Sequence, residues 1–404
     1  MKKKTLNSVG YSKIFYGIVI WTLLVLGGGY LSELSPWSAI LPVLILFLLV
    51  FITLGKNIRL RGGSVKAIII CAMYIFGLYL SHMRFAPNFN IYANVGIQIV
   101  AVILLSNLIK NRNSFINLYI QVLLIMCIYS CICYFLNLIF NFTASTPALS
   151  TLYKMWMGQN IRSFSRNSGP FWEPGIYQIY INIALYFALF FFKNKDGKTP
   201  WIHIIVFCIT ILTTISTTGY LVMAGQLSWK LIGIVKKIRS RKTRAILTFL
   251  IPVLLLIFGV VIISTPAVSN KFESNNGSFI RRNADLIEVI PIVIESGPLG
   301  KGAESQARMT LMAKRGIGGS GAGNSIAYSS VASTYGWLTL LLFIGQIYRM
   351  CKKNFKEQWI LLLGILLISW ATEPLMMISL YYFFFVGFKD ESTTLNKMGA
   401  NSIV

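Results

Sequence analysis

Acidic residues and histidines are scarce in this chain. Its 404 residues include 12 Asp and Glu and only two histidines, His82 and His203, far apart in sequence. No His, Cys, Asp or Glu group has the spacing of metal ligands, so no metal and no other cofactor is expected. Of six cysteines, Cys71, Cys127, Cys131, Cys133 and Cys208 fall inside apolar blocks and Cys351 follows one. None lies in a long polar segment, so no structural disulfide is expected. Charge is scarce as well, at 12% of residues; soluble domains carry roughly twice that share. A cleavable leader is not expected: Met1-Lys2-Lys3-Lys4 is basic, but the apolar run after Lys13 lacks a small-residue cleavage pattern and leads into a second run. No internal repeat is visible, and the matched Gly/Pro-broken spans of inverted-repeat transporters are missing.

What the chain has in abundance is long apolar runs. It is 55% hydrophobic with a mean hydropathy of +0.68. Runs near 14–31, 38–54, 67–82, 91–109, 115–141, 175–192, 200–216, 219–235, 246–264, 326–347, 359–372 and 374–388 read as transmembrane helices. The last two are separated at Glu373-Pro374, because a glutamate at mid-membrane is expensive. The expected fold is therefore an all-α polytopic membrane protein of about 12 spans, a single integral membrane domain over residues 1–404.

The net charge of +25 comes from 37 Lys and Arg. In a soluble protein it would suggest nucleic acid; here cations flanking spans explain most of it, and no nucleic acid is expected. With the N-terminus inside, Lys56, Arg59, Arg61 and Lys66, then Lys110 and Arg112, then Lys193, Lys195 and Lys198, fall on one side. The run Lys236 to Arg244 and the group Arg349, Lys352, Lys353 and Lys356 join them. The positive-inside bias therefore predicts a multi-pass protein with both termini in the cytoplasm.

Two outer segments exceed what a hairpin needs: a shorter loop over 142–174 and a long loop over 265–325, between spans 9 and 10. In the long loop, Ser278 to Glu295 has helical periodicity, with Ile280, Ala284, Ile287 and Pro291 on one face, which predicts an amphipathic interfacial helix. The glycine-rich stretch 316–323 is expected to be mobile. The outer segments also carry Arg84, Lys154, Arg162, Arg166, Lys271, Arg281, Arg282, Lys301, Arg308, Lys314 and Arg315. Orientation does not account for cations on this side. Arginine forks match phosphate oxygens in pairs, so the set points to an anionic ligand; the plainer alternative is a solvated loop with ion pairs such as Arg281 with Asp285.

The most specific segment runs Arg166-Asn167-Ser168-Gly169-Pro170-Phe171-Trp172-Glu173-Pro174-Gly175. It sets a cation, a tight turn, two aromatics and a carboxylate at the start of a helix. Glu173 is either a cap at the positive end of the helix dipole or a proton acceptor beside an arginine that holds a departing phosphate. Tyr177, Gln178 and Asn182 continue one helix face inward, and polar groups at that depth usually line a cavity.

Arg166-x-x-Gly169-x-Phe171-x-Glu173-Pro174 resembles a signature of the O-antigen and capsular polysaccharide polymerases, relatives of the O-antigen ligases. Thr214-Ile215-Ser216-Thr217-Thr218-Gly219 is similar to a second turn of that family. Arg281-Arg282 followed by Pro298-Leu299-Gly300-Lys301-Gly302 resembles a third element. Asn324-Ser325 with Tyr335-Gly336-Trp337-Leu338 resembles a fourth. The resemblance implies a membrane-embedded, GT-C-type glycosyltransferase that is inverting and metal-independent. It implies polyprenyl-pyrophosphate-linked oligosaccharides as substrates, and a chain-length regulator and a flippase as partners beside membrane lipid. Arg166, Arg281, Arg282 and Glu173 become the catalytic candidates. Arg84, Arg162, Tyr177, Gln178, Lys301, Arg308 and Asn324 become the substrate-binding ones. The ligases carry a histidine in the corresponding loop; here Gly323 precedes Asn324 and the loop has none. That favours a polymerase and leaves Glu173 as base, with His82 a weaker alternative. A lipid-linked oligosaccharide flippase, a ligase and a scaffolding protein stay as rivals.

Overall fold

The computed structural model describes residues 112–140, 166–193 apart from Trp172, 199–250, 290–302 and 327–372, with a few isolated positions between. The described residues are mostly helical and contain no strand. In chain order the helices are α1 (Arg112–Phe140), α2 (Pro174–Phe190), α3 (Trp201–Thr213), α4 (Thr217–Val235), α5 (Ala327–Tyr335), α6 (Trp337–Asn354) and α7 (Trp359–Thr372). Residues 241–250 are also helical. The expected runs near 14–31, 38–54, 67–82, 91–109 and 374–388 lie outside the described residues.

Helix α2 is the axis of the bundle. It is apolar on nearly every side, and every residue from Pro174 to Leu189 is buried. A helix hydrophobic all round can only be satisfied by neighbours on all sides. Here α1, α3, α4 and α7 supply them. Around it, the outer helices keep a polar-poor surface. Along α1, Ile125, Ile128, Ile132, Leu136 and Ile139 recur at helical spacing, and each is exposed, Ile139 by 71%. Helix α3 does the same through Ile202, Ile205, Ile209 and Leu212. Among the described helices, only α1 is both long and apolar enough to cross a membrane.

One end of the bundle is tied together around the α6–α7 turn. Arg112 donates from Nη1 to the Asn354 carbonyl at 2.6 Å, where a cation meets the negative end of α6. The Tyr186 hydroxyl donates to the Gln358 carbonyl at 3.1 Å, and the Trp229 indole donates to Gln358 Oε1 at 2.8 Å. Phe355 packs between Phe187 and Phe191. The same end carries Lys193, Lys236, Lys237, Arg349, Lys352, Lys353 and Lys356, and is called the basic end below.

The run 326–347, expected as one span, is two helices. The chain breaks at Gly336, whose φ of 87° no side-chain-bearing residue adopts readily. A break strands the last carbonyls of α5 and the first N–H groups of α6. The segment Gly297–Gly302 satisfies both sets. Lys301 N donates to Ser333 O at 2.7 Å and Gly302 N to Thr334 O at 3.0 Å; Trp337 N donates to Gly297 O at 3.3 Å and Leu338 N to Pro298 O at 3.4 Å. The backbones approach so closely that a Cβ on Gly336 would lie 2.0 Å from the Pro298 oxygen, and one on Gly300 2.5 Å from the Thr334 oxygen. Periodicity alone could not show this, since both halves are apolar and in helical phase.

Of the expected amphipathic helix over 278–295, the described part is helical at Ile287 and from Ile290 to Ser296. Ile287, Ile290 and Ile294 are exposed, while Ile292 is buried against Leu311. Helix α7 is described as far as Thr372; Glu373-Pro374, where the sequence predicts a break, lies outside the described residues.

Candidate functional site

The site lies at the end of the bundle opposite the basic end, around the start of α2. Pro174 occupies the first helical position, where its missing N–H is no loss. Glu173 precedes it as the N-cap residue, in extended geometry. Its carbonyl receives Ile176 N and Tyr177 N at 3.2 Å each, so its backbone starts the helix. Its side chain makes no capping bond and is exposed. It stands free at the positive pole of a helix, where a negative charge is favoured.

Residues 167–171 do not lie on the surface as a loop would. They are buried from Asn167 to Phe171 and sink between α1, α2 and α3. Asn167 is the pin. Its Nδ2 donates to Thr213 Oγ1 at 3.0 Å and to Ser130 Oγ at 3.3 Å. Its Oδ1 accepts from Gly169 N at 3.0 Å, and its backbone N donates to Thr213 O at 2.9 Å. Gly169 then turns at φ 53°, and a Cβ there would strike the Tyr177 ring at 2.7 Å. Phe171 stacks on Tyr177 and Tyr180, with ring centroids 5.4 and 4.6 Å apart. Each such pair contributes about 0.5–1.5 kcal/mol beyond its buried area. The spaced Gly and Phe of the motif are therefore packing residues between Arg166 and Glu173.

Arg166 is half-buried. Its Nε donates to the Thr214 carbonyl at 3.1 Å, and it lies within Coulombic reach of Tyr220. Thr214 belongs to the turn between α3 and α4, which also contains Ile215 at a positive φ of 48° and Ser216, the N-cap of α4. Ser216 Oγ accepts from Gly219 N at 3.3 Å. Thus the first two motifs meet side by side, and the described parts of the other two, 298–302 and 335–338, meet at the Gly336 break. The long gaps in sequence within each pair are closed by backbone hydrogen bonds.

Tyr177, Gln178 and Asn182 were expected on one face, and they divide. The Tyr177 hydroxyl pairs with Ser130 Oγ at 2.8 Å, toward α1. Gln178 and Asn182 turn toward α4. Asn182 Nδ2 donates to Gln178 Oε1 at 2.9 Å, and Gln226 Nε2 donates to Asn182 Oδ1 at 3.0 Å. This ladder of three buried amides has an unpartnered atom at each end, Gln178 Nε2 and Gln226 Oε1. A step of one residue along a helix rotates the side chain by about 100°, which separates Tyr177 from Gln178.

Lys301 is exposed at the docked segment. Arg84, Arg162, Arg281, Arg282, Arg308 and Asn324 lie outside the described residues, as does the glycine-rich stretch 316–323. Asn167, Ser130 and Thr213 escaped the sequence reading as site residues. Their signal was faint: one asparagine after an arginine, and hydroxyls inside apolar runs. Among the described residues no three His, Cys, Asp or Glu side chains come together. Among the described residues the motif segment thus offers one anchored guanidinium, Arg166, and one exposed carboxylate, Glu173. Comparison with protein-family models and with curated proteins returns no match, so the resemblance rests on the four motifs themselves.

Proposed function

We propose that this protein is an integral membrane glycosyltransferase that joins polyprenyl-pyrophosphate-linked oligosaccharide repeat units into a surface polysaccharide. In this reading the bundle has about 12 spans, with both termini cytoplasmic, and works on the outer face of the bacterial cytoplasmic membrane. The polymer is an O-antigen, a capsule or an exopolysaccharide. The exposed isoleucine stripes of α1 and α3 support the membrane placement, since water is a poor solvent for such contiguous apolar faces.

The observation that carries the reading is the pinned segment Arg166–Glu173. A guanidinium anchored on the Thr214 carbonyl and an exposed carboxylate at the α2 N-terminus stand at its two ends. In the proposed step, an acceptor hydroxyl of one lipid-linked unit attacks the anomeric carbon of the growing chain. The new C–O bond forms as the bond to the pyrophosphate oxygen breaks, with inversion. Glu173 takes the hydroxyl proton. The lipid pyrophosphate leaves with the bonding pair, its charge balanced by Arg166 and by Arg281 or Arg282. Arg84, Arg162, Lys301, Arg308 and Asn324 are assigned to substrate binding, and a flippase and a chain-length regulator are the expected partners. No metal enters the proposed step.

A second reading, a flippase for the same lipid-linked units, draws on the buried Gln178–Asn182–Gln226 ladder, since polar groups between packed membrane helices often line a translocation path. A ligase reading differs only in the acceptor. The test is reconstitution with the lipid-linked repeat unit and a chelator. A product ladder spaced by one repeat, lost in Arg281→Ala with normal membrane insertion, is expected. Transfer of the unit across a sealed vesicle without a ladder would replace the polymerase by the flippase.

A further inference from the structure

Buried polar atoms without a partner gather on three helices that pack on one another. Of the five such atoms among the described residues, four lie on α2, α4 and α7: Gln178 Nε2, Gln226 Oε1, Ser369 Oγ and Trp370 Nε1. Helix α7 packs against both α2 and α4, which also pack against each other. Trp370 turns toward α5 and α6, with its ring centroid 5.0 Å from Tyr328 and 4.7 Å from Phe343. The two glutamine atoms close the ends of one amide ladder. Gln226 Nε2 donates to Asn182 Oδ1 at 3.0 Å, and Asn182 Nδ2 donates to Gln178 Oε1 at 2.9 Å. The three amide dipoles run head to tail, so each bond polarises the next. A bare donor is left at the Gln178 end and a bare acceptor at the Gln226 end. Asn182 between them is filled, since its Nδ2 also donates to Gln178 O at 3.0 Å and to Gly219 O at 3.4 Å.

The surroundings fix what can meet these ends. Every side chain from Pro174 to Leu189 and from Thr217 to Trp229 is uncharged, so a charged ligand would be buried without a counter-charge. Gln178, Asn182 and Gln226 have no exposed surface, and Gln178 is wedged against Gly219, where a Cβ would lie 3.1 Å from its own Cβ. Only a molecule of a few atoms fits such packing. One end asks for an acceptor and the other for a donor, and water supplies both. Nearly all buried polar groups in folded proteins are met by protein or by ordered water, and a buried water takes about three polar partners. Ser369 offers a further one. The bond from Tyr186 to the Gln358 carbonyl sets α7 against α2; Gln178 stands about 12 Å along α2 from it and Ser369 about 16 Å along α7, within about one turn in height.

We propose that the Gln178–Asn182–Gln226 ladder is a water-binding site: ordered water accepts from Gln178 Nε2 at one end and donates to Gln226 Oε1 at the other. The seam between α2, α4 and α7 is then wet inside an otherwise apolar bundle, to within about one turn of the start of α2. This site goes beyond the polymerase reading and is independent of it, since the same ladder would bind water in a protein of any activity.

The test is NMR on the full chain in detergent micelles, with 15N in the side-chain amides of glutamine and asparagine. The readout is the rotating-frame Overhauser cross-peak between each amide proton and water. Gln178 is expected to show a cross-peak to water, because its Nε2 donates to it. Gln226 should show a weaker one, since the water sits on its oxygen and not on its nitrogen. Asn182, whose Nδ2 is filled by protein acceptors, should show none. Gln358, partly exposed at the basic end, is the positive control. Each signal is assigned by its loss in Gln178→Met, Asn182→Leu or Gln226→Met; Gln178→Glu, Asn182→Asp and Gln226→Glu, which also lose the amide protons, serve where an apolar variant does not purify. Silence at Gln178 and Gln226 beside a clear Gln358 signal overturns the site. So does a cross-peak of equal strength from all three ladder residues, which would mean bulk water entering a loosened bundle.

Discussion

Replacing Gly336 with alanine tests the account of the broken helix directly. The added Cβ would lie 2.0 Å from Pro298 O, 2.4 Å from Pro298 C and 2.6 Å from Leu299 N, all backbone atoms that cannot rotate away. Relief requires the Gly297–Gly302 segment to lift off. That breaks the bonds from Lys301 N, Gly302 N, Trp337 N and Leu338 N. At about 1 kcal/mol net per bond, the loss is roughly 3–4 kcal/mol. If the segment stays docked instead, alanine is held at φ 87°, which costs about 1–3 kcal/mol in addition to the clash. By either route the variant should be less stable by about 3–5 kcal/mol. The assay is thermal unfolding of the detergent-purified protein, with limited proteolysis of the 297–302 segment as the local readout. Gly345→Ala is the internal control. It lies inside α6 with nothing within 4 Å of a new Cβ, so helix propensity should make it neutral or stabilising by up to about 1 kcal/mol. A Gly336→Ala protein that melts with wild type and resists protease equally would refute the docking.

Asn167→Ala removes donors to Ser130 and Thr213 and the acceptor for Gly169 N, and should destabilise by about 2–3 kcal/mol in the same melt; Asn167→Asp, which keeps only the acceptor, should recover little. Arg166→Ala and Glu173→Gln should abolish the product ladder while the protein still inserts and purifies normally, and full activity in both would remove these residues from the mechanism. Arg166→Lys should not restore activity, because a single ammonium cannot keep the Thr214 contact through Nε and also grip phosphate in a fork. Arg112→Ala leaves the Asn354 carbonyl at the end of α6 without its cation and should cost about 1–2 kcal/mol, read as a lower melting temperature with the product ladder unchanged.

Much of the helical content was legible in the sequence, because it follows from local properties. Apolar runs located α1, α2, α3, α4 and α7, and Pro174 marked a start through the geometry proline imposes on its own φ. The segment ahead of α2 was legible as a string of residues: a cation and a carboxylate bracketing a turn. Its mechanics were not. Nothing local to Arg166 names the Thr214 carbonyl as its partner, and nothing local to Asn167 points to Ser130 and Thr213, 37 and 46 residues away. The division of Tyr177 from Gln178 was a matter of helix rotation and needed to know where α1 and α4 stand.

Hydropathy and its period by themselves determined that the described residues build apolar helices, since these are local properties that no distant neighbour can change. Only the tertiary structure decided that the run 326–347 breaks at Gly336. Both halves are good helix by pattern, and the break is stabilised by the carbonyls and N–H groups of a segment some 35 residues earlier, which take up the hydrogen bonds the helix gives away. It also decided that the Arg166–Glu173 segment sinks into the bundle, because a buried asparagine with two hydroxyl partners recovers the hydrogen bonds that burial would otherwise forfeit.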